Sequence, residues 1–144
     1  MTQLSLQVAR QDIRNLLASN FAQTAIEGSV PSATEVVRVN GSVVPYIVYR
    51  FPDVLPDVDT SFVGPWGDSY VQMVYFLAVG PDVVSTQALY MKILTNFLGF
   101  VPSYSSQMTK RSGGGTYEVG VDNGASEAFI ATANFIFRTN MMLV

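Results

Sequence analysis

The run from Ser69 to Val79 constrains the fold more than any other stretch of this chain. Tyr70, Gln72, Val74, Phe76 and Ala78 alternate with Val71, Met73, Tyr75, Leu77 and Val79. On an extended strand these two sets take opposite faces, and both are largely apolar. A strand with one face in water reads polar at every second position. The run therefore predicts a central strand covered on both sides. Its longest unbroken apolar part, Met73 to Val79, is far too short to cross a bilayer as a helix.

The elements around this strand follow from spacing and from breakers. Residues 2–21 place Leu6, Ala9, Ile13, Leu16, Leu17 and Phe21 at steps of mainly three and four. That spacing predicts an amphipathic helix, with Thr2 as its N-cap and Gly28 and Pro31 beyond its end. Glu35–Asn40 and Val43–Phe51 read as strands joined by Asn40-Gly41, a pair suited to the positive φ angles of a tight hairpin. Pro45 donates no ladder hydrogen bond, so the second strand is an edge there or starts after it. Residues 52–68 hold three prolines and two glycines and read as a long loop.

After the central strand, Gly80-Pro81-Asp82 stops the extended chain and starts a second helix. This helix runs to about Leu98, with Gly99 as its stop. It is apolar over a wide surface, and only Ser85, Lys92 and Asn96 form a wet stripe. Such a helix usually has two things packed on it, here a sheet and a neighbouring subunit. Residues 99–115 read as a second irregular loop, with Ser112 to Gly115 as a flexible connector. Thr116–Asp122 and Glu127–Thr139 close the chain as a hairpin turned by Asp122 to Ser126. The order is α-β-β-β-α-β-β. It predicts one α+β domain over residues 1–144, a single mostly antiparallel sheet of about five strands with two packed helices.

Composition narrows the chemistry. The 144 residues include no histidine and no cysteine. That removes Ser-His-Asp and Cys-His nucleophilic sites, disulfides and thiolate metal sites. Carboxylate chemistry is left. Asp53, Asp57, Asp59 and Asp68 cluster in the first loop, and an enzyme or small-molecule site would need at least two of them in one concave pocket. A calcium loop does not fit, because Phe62 stands where the turn needs glycine and the twelfth position lacks its glutamate. The Gly113 to Gly115 run precedes a strand rather than a helix, so it lacks the usual phosphate cradle. No catalytic, cofactor-binding or metal-binding residue is expected.

Net charge is −3, from 8 basic and 11 acidic residues, and charged residues are only 13% of the chain. Typical soluble domains carry roughly 25%. The sole adjacent basic pair is Lys110-Arg111, too little to grip a phosphate backbone firmly. A chain so poor in charge is expected to be covered in part by copies of itself. The N-terminal residues lack the pattern of a signal peptide, which points to a soluble protein made in a cytoplasm. Candidate contact residues are Phe62 and Trp66 in the first loop, Tyr90 and Lys92 on the second helix, Lys110 and Arg111, and the apolar terminus with Met141 and Met142.

Taken together, the pattern resembles the tail terminator family of long-tailed bacteriophages. The likeness spans most of the chain. It lies in the short first helix, the hairpin ending in Tyr46 to Phe51, and Trp66-Gly67-Asp68 leading into the long apolar strand. The helix Val83–Leu98, the Gly113-Gly114 loop and a closing hairpin with Asp122 and Phe135 to Arg138 complete it. The resemblance implies a structural virion subunit without catalytic residues or cofactor. It implies a homo-oligomer, a hexameric ring at the tail–neck junction, assembled in the host cytoplasm. The ring would cap the tail tube, stop its polymerisation and dock the head connector, with DNA passing through unbound and no membrane involved. A neck or head-completion protein shares these features; a carboxylate-dependent or small-molecule-binding domain is the alternative of another class.

Overall fold

The computed structural model describes residues 3–28, 38–56, 69–119 and 128–144. Helix α1 spans Ser5–Asn20. Strands β1 (Thr24–Glu27), β2 (Arg38–Val39), β3 (Ser42–Val43), β4 (Tyr46–Arg50), β5 (Leu55–Pro56) and β6 (Tyr70–Gly80) follow. Helix α2 (Val83–Phe97) then precedes β7 (Thr109–Val119) and β8 (Ala128–Thr139). The class is α+β, as the sequence predicts.

The main sheet runs β1-β4-β6-β8-β7, with β5 paired to the start of β6. Strand β6 is central, between β4 and β8, and antiparallel to both. Both helices pack on one face. There Ile47, Val74, Phe76, Ala133, Phe135 and Phe137 meet Ala9, Ile13 and Leu17 of α1 and Leu89, Ile93 and Phe97 of α2 in one core. Phe97 is the hub, with ring centroids 4.6 Å from Phe76, 6.1 Å from Phe21 and 6.5 Å from Phe135. Truncating such a buried ring costs roughly 3–5 kcal/mol. Among the described residues the opposite face has no helix. It has a smaller buried cluster of Val43, Tyr46, Val48 and Val79, while Val71, Met73, Tyr75 and Leu77 are half-buried. The expected two-sided cover of β6 is thus deep on one side and partial on the other.

Local chemistry explains most boundaries. α1 starts two residues later than a cap at Thr2, which lies outside the described residues, would require. Leu4 takes the cap position, and its N–H donates to the Gln7 side chain at 2.9 Å. Asn40 (φ 52) and Gly41 (φ 81) make the expected two-residue turn between β2 and β3. Pro45 then ends β3, and β4 begins after it in the other sheet. Asp82 caps α2 by accepting the Ser85 N–H at 2.7 Å, and Gly99 (φ 86) follows its end in the left-handed region.

Three expectations need correction. The stretch 52–68, expected as a loop, contains β5, whose Leu55 and Pro56 pair with Val71 and Tyr70 of β6. The second irregular stretch ends at Met108 rather than at residue 115. Strand β7 runs through Gly113-Gly114-Gly115, with one extra residue between Lys110 and Ser112 and another between Gly113 and Thr116. Glycines suit such bulges on an edge strand, and the long partner β8 holds the register that they loosen. Strand β1 was not expected. Its four residues pair in parallel with β4, from Thr24↔Tyr46 to Glu27↔Tyr49, a contact across the sequence that local pattern does not announce. The closing turn at 122–126 lies outside the described residues.

Candidate interaction surface

Hydrogen bonds and strand register bring separate pieces of chain to one end of the sheet. Pro56 pairs with Tyr70, Tyr70 with Thr139, and Thr139 forms a bridge with Ser105. Beyond β8 the C-terminal segment folds back on the start of α1. The Ser5 N–H donates to the Met142 carbonyl at 2.8 Å, the Val144 N–H donates to Gln3 at 2.9 Å, and the Ser5 hydroxyl donates to Asn140. This end therefore collects Leu55, Tyr104, Met142, Leu143 and Val144, all exposed, from 43% at Val144 to 68% at Leu143. Val101, also exposed, lies beside Leu16 and Ser19 of α1 instead.

The loop that carries Tyr104 is firmly held. Its Ser103 N–H donates to the Asp12 carboxylate at 2.8 Å, and its Ser106 N–H donates to the Arg138 carbonyl at 2.8 Å. Tyr104 itself has φ 58, in the left-handed region. A non-glycine residue held there stores strain, and such strain concentrates at functional positions. The result is an aromatic ring 57% exposed on a fixed backbone, the kind of anchor that dominates interfaces.

Beneath α1 lies a polar cluster. The Gln72 side chain is fully buried on the helix-covered face. Its amide donates to the carbonyls of Pro52 and Met73 at 2.7 Å each, and its oxygen accepts from Arg10 at 2.6 and 2.9 Å. Burial lowers the Arg10 pKa from its ordinary value, the neighbouring Arg14 adding to the shift. Arg14 forms a two-pronged pair with Glu27, at 2.6 and 3.1 Å. That pair raises Arg14 and holds Glu27 below its ordinary value. Both guanidinium groups lie over the Phe51 ring, at 5.6 and 5.2 Å. Burial chiefly raises the nearby Tyr49 phenol, with the Glu27 charge second. The cluster ties α1 to β1 and to the root of the first loop.

On the helix-free face a cavity of about 510 Å³ is lined by Val48, Arg50, Tyr75, Leu77, Thr132 and Asn134, among others. Its described lining holds one formal charge, Arg50, stacked 5.0 Å over Tyr75, and no carboxylate. Asp53 is exposed and does not line it. Asp57, Asp59 and Asp68 lie outside the described residues. Among the described residues no group of three or more acidic side chains could hold a metal ion, and no helix is long and apolar enough to cross a membrane.

The expected contact residues fare unevenly. Phe62 and Trp66 lie outside the described residues. Tyr90 is buried in the core, 6% exposed, with the Lys110 ammonium 5.6 Å above its ring. It faces the sheet because it shares the inner stripe of α2 with Leu89, Ile93 and Phe97. Lys92 is half-buried, its ammonium 5.0 Å from the Phe21 ring. Lys110 and Arg111 are exposed at the start of edge strand β7, Met141 is half-buried, and Met142 is exposed. The structure places Met142, Tyr104 and Leu143 around the same end of the sheet, and sequence reasoning missed Tyr104 and Leu143. Nothing local singles these out, since the end patch exists only once β8, the C-terminal segment and the 100–106 loop meet. No protein-family model matches the chain, and no curated protein matches it.

Proposed function

We propose that the chain is a structural, self-assembling subunit of a tailed-phage particle, a tail terminator acting as a ring at the tail–neck junction. The observation that carries this reading is the apolar end patch on a chain with only 13% charged residues. An end with Tyr104 on a hydrogen-bonded loop and with Leu143 exposed suits docking against another ring stacked along one axis. A docked tube end would find its next-subunit surface replaced, which stops growth by occupancy and needs no chemistry. The head connector would meet the opposite face. With a net charge of −3 and only scattered cations, DNA crosses such a ring without being gripped.

Native mass spectrometry of the full chain, alone and with a tail-tube protein, tests the reading. A six-membered ring, free or seated on tubes, is the expected result. Tyr104→Asp and Leu143→Asp, both on exposed side chains, should leave the fold intact and abolish tube capping. A wild-type chain that stays monomeric at high concentration in both settings overturns the proposal. A ring that ignores tubes but binds the head connector reassigns it to a neck protein of the same particle.

A further inference from the structure

Strand register aligns two rows of side chains across the helix-free face of the sheet. Arg50, Tyr75, Asn134 and Ser112 form one row, from β4 through β6 and β8 to β7. Val48, Leu77 and Thr132 form the next. Side chains two residues apart on a strand stand about 7 Å apart, so the rows bound a trough one planar group wide. Its floor is backbone at Tyr49 and Phe76, whose side chains turn to the helix-covered core. This trough is the cavity of about 510 Å³, within the usual size of small-molecule sites. Gly28 borders it beside Tyr49 and adds no side chain there.

The two rows differ in kind. Val48 and Leu77 offer only methyl groups, whereas the other row is polar and its members are held. The Arg50 guanidinium stacks 5.0 Å over the Tyr75 ring. The Tyr75 hydroxyl donates to the Met73 sulfur at 3.3 Å. The Asn134 amide donates to the Ser112 hydroxyl at 2.8 Å, which leaves its oxygen as an acceptor. Among the described residues no carboxylate pairs with Arg50, although the chain carries a net charge of −3. A guanidinium stacked on a ring keeps its N–H edge for a planar anion, which it grips by two parallel hydrogen bonds.

We propose that this trough binds a small, planar aromatic monocarboxylate. Its carboxylate lies on Arg50, its ring between the two rows, and a hydroxyl at its far end donates to the Asn134 amide oxygen. One unpaired cation calls for one negative charge. Adjacent strands stand about 4.8 Å apart, so Arg50 on β4 and Asn134 on β8 are about 10 Å apart. That is the reach of a hydroxyphenyl acid with a short, flat linker. The apolar row matches the face of such a ring. An extended peptide fits worse, because Val48 and Leu77 give its backbone no hydrogen-bond partners along one side. The site does not depend on assembly into a ring.

The probe is 4-hydroxycinnamate, titrated into the full chain by calorimetry and followed by NMR. Saturable binding is expected, with shifts of the Val48 and Leu77 methyl signals and the Thr132 amide. The methyl ester lacks the charge, and Arg50→Gln removes its partner from an exposed position. Each should weaken binding by about tenfold or more, the R50Q variant with an unchanged thermal melt. Asn134→Leu should abolish the preference for 4-hydroxycinnamate over cinnamate. No binding at millimolar probe, an ester that binds as tightly as the acid, or acetate that competes as well as the probe overturns the site. Shifts confined to the helix-covered face overturn it too. A chain that assembles into rings and ignores the probe sinks this site and leaves the terminator reading standing. A chain that stays monomeric and binds the probe at Arg50 supports the site and counts against the terminator.

Discussion

Gln72 sits in an alternation whose later members on that face, Val74, Phe76 and Ala78, are apolar and buried. It is tolerated there because all its polar valences are met, by Arg10 on one side and by the carbonyls of Pro52 and Met73 on the other. Replacing it with methionine of similar shape leaves those partners without it. Gln72→Met should lower the unfolding free energy by about 1–3 kcal/mol in urea titration, the cost of unsatisfied buried groups. A loss under about 0.5 kcal/mol would show that the partners find water instead. Glu27 poses the opposite case, a pair near the surface. Its pKa is held below the ordinary value by Arg14, so the folded state binds that proton less readily than the unfolded chain does. The pair's contribution is present above the ordinary carboxylate range and is lost as pH falls through the folded pKa. With the Glu27 side chain 41% exposed, that contribution is limited to about 0.5 kcal/mol. Glu27→Gln should therefore differ from wild type by that much at neutral pH in thermal melts, and the two curves should converge in acid.

At the scale of elements, the junction from β6 into α2 shows how a breaker sequence becomes a packing constraint. Gly80 ends the strand where the chain passes close to Thr86. A Cβ added there would lie 2.6 Å from the Thr86 hydroxyl oxygen and 3.2 Å from its backbone nitrogen. Thr86 is fully buried and its hydroxyl donates to the Asp82 carbonyl at 2.7 Å, so it has little room to yield. Gly80→Ala should destabilise the fold by about 1–3 kcal/mol, as overpacking does, measured by denaturant midpoint at constant slope. An unchanged midpoint would mean that α2 shifts freely over the sheet, contrary to its packing. Strand β7 makes the complementary point. Three glycines argue against a strand by propensity, yet an eleven-residue strand runs along β8, eight of its residues paired and two bulges between them. Pairing with a long, well-buried neighbour outweighs local preference.

Across the whole molecule, exposed apolar groups are not spread evenly. Among the described residues they lie around the end of the sheet, along α2 and at Val39 and Val44 of the β2–β3 hairpin, while the outer side of α1 is polar. The experiments under the proposed function test whether the exposed end of the sheet is a contact.

Local sequence was enough for the elements whose causes are local. The α2 boundaries came from Asp82 and Gly99, the hairpin from Asn40-Gly41, and the central place of β6 from its two apolar faces. The α+β class followed from their order. Other features needed the tertiary structure, because their partners are far apart along the chain. β1 exists through β4, β7 crosses its glycines through β8, and Tyr90 is buried because α2 turns that stripe to the sheet. Leu55, Tyr104 and Leu143 share an end only after six stretches of backbone have been paired. Periodicity within a helix or strand is written in neighbouring residues, whereas the surface left uncovered is decided by which distant segments fold over which.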